Sequence, residues 1–298
     1  IRPLLFLRWK DPESAHERVL ELMETAQLSP RTLALIAWLC RVEDPLLVRK
    51  VGNLTFPNPI GIAAGFDKDA RVVEMLQAMG FGFVETGTFT PEQQDGHPRP
   101  RIWRDTAKRE LYNRMGFPGN GAAAGVSKFR DIRKRGLVTI PVGANIGKQK
   151  DTPLKNAAAD YCTCIRQLIR VVDYFTINVS SPNTTELRSL QKADNLYAIL
   201  ITCMPEVRRH EILTGEKRDV WVKISPDLEN ELVRDVVRLC LEMGVSAIVA
   251  TNTTKAQVPS RPDLQCGKSG PPLFPLALEK VSLCHETSEG KLPVVAVG

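Results

Sequence analysis

No uninterrupted apolar run in this chain is long enough to span a bilayer, and no secretory signal is visible, so no spanning helix is predicted. The seven cysteines (Cys40, Cys162, Cys164, Cys203, Cys240, Cys266 and Cys284) contain no C-x-x-C pair. That spacing argues against a zinc site or a disulfide framework and predicts buried, reduced thiols in a cytosolic setting. Nothing spaces ligands for a metal, and none is expected. No G-x-S-x-G elbow surrounds any serine, which makes a hydrolase triad a poor reading. The net charge of +6 and a pI of about 9.0 permit an anionic partner. With no motif of interleaved aromatic and basic residues, however, nucleic acid ranks last among such partners. Low-complexity tracts, internal repeats and long linkers are also missing.

What is present is ordinary globular composition over 298 residues, 43% hydrophobic and 25% charged, the length of a single α/β barrel. After a flanking hairpin over Val51 to Pro59, seven strand-like runs follow one another: Ile60 to Ala64, Phe81 to Thr86, Ile140 to Asn145, Tyr174 to Val179, Val220 to Ile224, Ala247 to Thr251 and Pro293 to Val297. Helical patterns separate most of them, as at Leu154 to Arg170, Asn195 to Arg209, Glu229 to Met243 and Leu273 to His285. Repeated βα units predict a parallel sheet, and this many favour a (β/α)8 TIM barrel of which seven strands are visible. The eighth unit is expected beyond Gly298, so the sequence reads as a C-terminally incomplete barrel over 46–298.

Residues 1–45 read as a separate helical hairpin. Asp11-Pro12-Glu13 and Ser29-Pro30 are helix starts, followed by apolar residues at helical spacing and flanked by Arg2, Arg8, Lys10, Arg18, Arg31 and Arg41. That composition suits an interfacial helix pair lying among lipid headgroups, and equally a pair that docks on the barrel.

The strand ends carry the function signal. The run Tyr174 to Val179 is followed by Ser180, Ser181, Pro182, Asn183 and Thr184, a strand that breaks into small polar groups where α/β proteins place their chemistry. By local sequence Ser181 is a nucleophile, a base or merely a turn residue. Asn113, Asn145, Asn178, Asn183 and Asn252 crowd the same rim with carboxamides, which suit a flat heterocycle whose edge alternates N–H and C=O. Lys223, inside the apolar run V-W-V-K-I, should point into the barrel and need an anion or an internal carboxylate. Lys68 follows Gly65 at a helix start and can reach an anion held there, or stand solvated. His97 and His210 read as bland.

These residues fall into long motifs: N-P-I-G-I-A-A-G-F-D-K (58–68), H-P-R-P-R (97–101), N-R-M-G-F (113–117), A-N-I-G-K (144–148), N-V-S-S-P-N-T (178–184), V-K-I-S-P-D-L (222–228) and T-N-T-T (251–254). Together, in this order, they resemble the class 2, quinone-dependent dihydroorotate dehydrogenases, and the bacterial branch in particular, because the hairpin begins without a preceding transit or anchor segment. The resemblance implies oxidation of dihydroorotate to orotate in pyrimidine synthesis, with hydride transfer to FMN and reoxidation by a quinone. Ser181 then stands where class 2 enzymes carry the base that takes the C5 proton; class 1 relatives have cysteine there. Lys68, Asn113, Arg114, Met115, Gly116, Phe117, Asn178, Asn183, Asn252 and Thr253 are implied as substrate residues. Ala63, Ala64, Gly65, Lys68, Thr88, Asn145, Asn178, Lys223, Thr251, Thr253, Ser269, Gly270 and Gly298 are implied around FMN. Residues 1–45 become the quinone-access module and peripheral contact with the cytoplasmic face of the inner membrane, with Arg101 near the quinone headgroup. Departures from the pattern are His97 in place of a more familiar asparagine, and G-F-P-G-N (116–120) where asparagine often follows Gly-Phe. The alternatives are a soluble class 1-like FMN dehydrogenase, or a catalytically incompetent barrel fragment.

Overall fold

Strands buried on both faces need apolar, β-branched sequence throughout, and that is where the main sheet forms. The computed structural model describes residues 8–184 and 186–297. Seven parallel strands follow the order β3 (Gly61–Ile62), β4 (Phe83–Phe89), β7 (Val142–Ile146), β8 (Tyr174–Asn178), β9 (Asp219–Ile224), β10 (Ala247–Ala250) and β13 (Val294–Ala296), each hydrogen-bonded to the next. Helices α3 (Val73–Ala78), α4 (Gly121–Arg135), α5 (Ala157–Leu168), α6 (Ala193–Thr214), α7 (Asn230–Met243) and α8 (Phe274–Thr287) return the chain between strands. Sequence patterns located the strands to within a few residues. Helix α6 runs longer than its pattern, starting at Ala193 and continuing past Arg209 to Thr214. Gly298 lies outside the described residues.

Alternation along each strand sorts its side chains. Phe175, Ile177, Val220, Val222, Ile224 and Ile248 face outward into the core shared with the helices. Tyr174, Trp221, Ala247 and Val249 face inward with Phe56 of the hairpin β1 (Arg49–Val51) and β2 (Leu54–Phe56), which plugs the barrel floor. The Tyr174 and Trp221 rings stack at 4.0 Å. Gly143 makes room for them, since a Cβ there would stand 2.1 Å from the Tyr174 ring. By the same alternation the next inward residue after Trp221 is Lys223, paired in register with Asn178.

A second sheet was not legible in the sequence. Two insertions, β5 (Ile102–Asp105) with β6 (Glu110–Asn113) and β11 (Thr254–Val258) with β12 (Arg261–Ser269), join as an antiparallel sheet of order β11-β12-β6-β5. Asn113, expected in a loop, ends β6 and pairs with both Ile102 and Gly267.

Helices α1 (Pro12–Ala26) and α2 (Pro30–Cys40) start where expected, with Asp11 and Ser29 accepting from the amides of Ser14 and Thr32. One side of the pair docks: Leu20, Met23, Ala26, Leu33 and Ile36 pack with Val72, Met75 and Leu76. Arg71 ties α1 down through Glu17 at 3.0 Å and Glu24 at 2.8 Å. The other side stays bare, with Trp38 and Leu39 79% and 65% exposed. No described helix is long and apolar enough to cross a membrane.

Candidate active site

A cavity of about 710 Å³ lies where three remote pieces of chain meet: the carboxyl ends of the barrel strands, the antiparallel sheet and α1. The barrel supplies Ile62, Ala63, Ala64, Gly65, Phe66, Lys68, Gly87, Thr88, Asn178, Ser181, Asn183, Lys223, Asn252 and Thr253. The second sheet and its flanking loop add Ile102, Arg104, Leu111, Asn113, Met115, Gly116, Phe117, Pro118 and Ser269. From α1 come Pro12, Ala15, His16 and Val19, a stripe at helical spacing. No carboxylate is among the lining residues.

The amides interlock. Asn178 Nδ2 donates to Asn145 Oδ1 (3.0 Å) and to Thr88 Oγ1 (3.3 Å), while Thr88 Oγ1 donates to Asn145 Oδ1 (2.6 Å). Asn252 Nδ2 donates to Ser180 Oγ (3.0 Å) and Asn178 Oδ1 (3.3 Å). Across the cavity Asn183 Nδ2 donates to Asn113 Oδ1 (2.8 Å), and the Asn183 amide N–H donates to Ser181 Oγ (3.3 Å). Each bond fixes which way the next carboxamide faces, so the rim is preorganised. Asn183 Oδ1 remains buried without a partner among the described residues.

Lys223 is 5% exposed and makes no hydrogen bond with any described residue. Glu85, inside the barrel, accepts from Asn145 Nδ2 (2.8 Å) and Thr176 Oγ1 (2.7 Å) rather than closing an ion pair with it. Burial therefore pushes the Lys223 ammonium below the ordinary lysine value, and Glu85 only partly restores it. Lys68 is lowered too, chiefly by burial, against the charges of Glu17 and Glu13. His16 stacks edge-on against Phe66 at 5.1 Å, and burial, then Lys68, hold its imidazole below the usual value. Its Nε2 has no hydrogen-bond partner among the described residues.

Several residues implied from the sequence stand outside the lining. Asn145 is one layer down, its carboxamide consumed by Glu85, Thr88 and Asn178. Thr251 is buried with its hydroxyl donating to the Asn252 carbonyl at 3.0 Å. Strand alternation at the end of β6 gives Asn113 and Arg114 opposite faces, and Arg114 does not line the cavity. Gly270, at φ +117°, instead permits close approach to the Arg109 backbone. Arg101 is also turned away: its guanidinium grips buried Glu13 of α1 at 2.8 and 3.0 Å and thereby seats the helix. Three residues on, Arg104 takes the cavity wall, donating to the carbonyls of Trp9 and Lys10 at 3.1 Å. His97, which read as bland, hydrogen-bonds the Asn183 carbonyl at 2.8 Å. Neither His16 nor Arg104 carries a local signal; only the docking of α1 beside β5 brings them together.

An α/β barrel with preorganised amides at its strand ends, and two ammonium groups there that make no hydrogen bond or ion pair among the described residues, has the site of an enzyme for a small, planar, anionic substrate. A family model described as dihydroorotate dehydrogenase matches residues 46–298. The dihydroorotate dehydrogenase (quinone) of Synechococcus sp. is 41% identical over all of this chain and 80% of its own length. That of Chloroflexus aurantiacus is 42% identical over all of this chain and 84% of its own. A ligand-free DHODH structure from Eimeria tenella superposes with a TM-score of 0.85 at 34% identity, covering 97% of this chain and 83% of that one. The complex of the Eimeria tenella protein with ferulenol gives 0.83 at 34%, covering 95% and 79%. The chain belongs to the dihydroorotate dehydrogenase family.

Proposed function

We propose that this chain oxidises dihydroorotate to orotate, with FMN as its flavin and a quinone as the final electron acceptor, as a step of pyrimidine biosynthesis. The observation that carries the reading is one cavity in which Ser181, four asparagines and two ammonium groups, without an ion-pair partner among the described residues, meet with no carboxylate in the lining.

The cavity fits a flavin. Gly65, at φ +103°, has no atom within 4 Å of the point where a Cβ would stand, and Lys223 offers an unsatisfied charge. Ala63, Ala64, Gly65, Thr88, Lys223 and Ser269 would hold the group, with Asn145 and Thr251 supporting them from behind. When bound, FMN supplies the hydride acceptor. Lys68 meets the substrate carboxylate, and Asn113, Asn178, Asn183 and Asn252 hold the pyrimidine edge. Ser181 takes the C5 proton. A hydroxyl is a poor base near neutrality, so Oγ must pass its own proton through a relay to water as the C5 proton arrives, while the Asn183 amide at 3.3 Å and the surrounding cations stabilise the alkoxide character of Oγ during the transfer.

The α1 stripe leads from this chemistry toward the bare side of the hairpin. His16 and Arg104, the polar groups along it, are assigned to the quinone carbonyls, and the face bearing Trp38 and Leu39 to the cytoplasmic surface of the membrane. Residues 1–45 would thus act as one access module on the catalytic unit 46–298. The names of the quinone-dependent relatives favour this reading over a soluble dehydrogenase. Anaerobic dihydroorotate should bleach the flavin of the FMN-loaded protein, and a quinone should restore its colour. Turnover with fumarate or nicotinamide but not with quinone would overturn the assignment.

A further inference from the structure

One largely enclosed cation serves the site without lining it. The 3-10 turn Leu187–Gln191 follows the Ser181 loop, and the Arg188 guanidinium reaches from it in three directions. Nε donates to the Ser180 carbonyl at 3.0 Å, the carbonyl of the peptide whose nitrogen belongs to Ser181. Nη2 donates to the Thr253 carbonyl at 2.8 Å, one residue beyond Asn252. Nη1 pairs with Asp227 at 2.5 Å. Asp227 lies in the motif V-K-I-S-P-D-L, whose lysine faces the cavity but whose aspartate does not. It is itself held by Thr254 Oγ1 at 2.5 Å and by the Lys255 amide at 2.9 Å. The turn adds a further tie, Gln191 Oε1 accepting from the Ser225 amide at 2.8 Å. The ends of β8, β9 and β10 are thereby stitched by one rigid fork, whose side chain is 13% exposed and that of its carboxylate partner 27%.

A planar guanidinium with donors fixed in one plane can satisfy three acceptors at once; an ammonium on a flexible stem cannot reproduce that geometry. Without the fork, the carbonyl of fully buried Ser180 would lose its partner and turn to find another, carrying the Ser181 peptide with it. We propose that Arg188, oriented by Asp227, is a positioning residue that locks the backbone before Ser181 to the backbone after Asn252, so that hydroxyl and carboxamide address one ligand. The identity of that ligand rests on the dihydroorotate reading above; the crosslink does not.

The test is Arg188→Gln and Arg188→Lys in the full FMN-loaded chain, read by hydrogen exchange and by the two half-reactions. In Arg188→Gln, peptides spanning 179–187 and 251–256 should lose amide protection together while the rest of the barrel keeps it. Flavin reduction by dihydroorotate should slow on the order of tenfold to a hundredfold, with reoxidation by quinone within about twofold of the unsubstituted rate. Arg188→Lys should leave both loops deprotected. Unchanged protection at these loops, recovery by lysine, or an equal fall in both half-reactions would overturn the proposal. If Arg188→Gln does not fold, Asp227→Asn, which keeps the guanidinium but loosens its anchor, decides by the same readouts in the same direction. Failure of the unsubstituted chain to be reduced by dihydroorotate would remove the substrate assignment and leave the exchange result intact.

Discussion

At Ser181 the proposed chemistry comes down to a hydroxyl asked to act as a base, and its surroundings have to do what its own acidity does not. Ser181→Ala should leave FMN bound, by absorbance, while stopped-flow reduction by dihydroorotate slows on the order of 10²- to 10⁴-fold. An unchanged rate removes the serine from the reaction. Lys68 makes a prediction about pH. Burial lowers its ammonium below the ordinary lysine value, so the charged form is complete at low pH and is lost at lower pH than for a free lysine. The kcat/KM for dihydroorotate should therefore fall on the alkaline side before an unperturbed lysine would titrate. Lys68→Met should lower kcat/KM throughout and flatten that limb; an alkaline limb unchanged in Lys68→Met would assign it to another group.

Among the elements, α1 has the most divided loyalties. Its stripe of Pro12, Ala15, His16 and Val19 forms a cavity wall, while Leu22, one turn further along the same face, is exposed, as are Trp38 and Leu39 of α2. If that bare side meets lipid, Trp38→Glu combined with Leu39→Glu should lower the vesicle-bound fraction by about tenfold or more, from two large apolar side chains removed. Activity with a short-chain, water-soluble quinone should survive; vesicle binding that does not change would return the face to solvent. Strand β7 gives the counterpart in stability. Gly143 lies against the Tyr174 ring so closely that an added methyl has no room. Gly143→Ala should cost about 1–3 kcal/mol in denaturant unfolding, and a neutral result would mean that the Tyr174–Trp221 stack can shift.

On the scale of the whole molecule, the cavity belongs to no single segment: the barrel rim, the antiparallel sheet and α1 each close one side of it. Much of the barrel rim was readable, because local chemistry determines it. Uninterrupted β-branched runs make buried parallel strands, Asp11-Pro12 and Ser29-Pro30 start helices through their own caps, and alternation alone turns Lys223 inward. The antiparallel sheet was not readable, since β12 opens with exposed Arg261, Pro262 and Asp263 and shows no apolar alternation to mark it. Nor could sequence separate Arg101, spent on Glu13, from Arg104, three residues away on the cavity wall, or mark Arg188 as a clamp. What the sequence by itself determined was the order of strands and the residue types at their ends, for these follow from neighbours along the chain. Which of those groups meet was decided only by tertiary structure, because hydrogen bonds and burial across distant segments have no local signature.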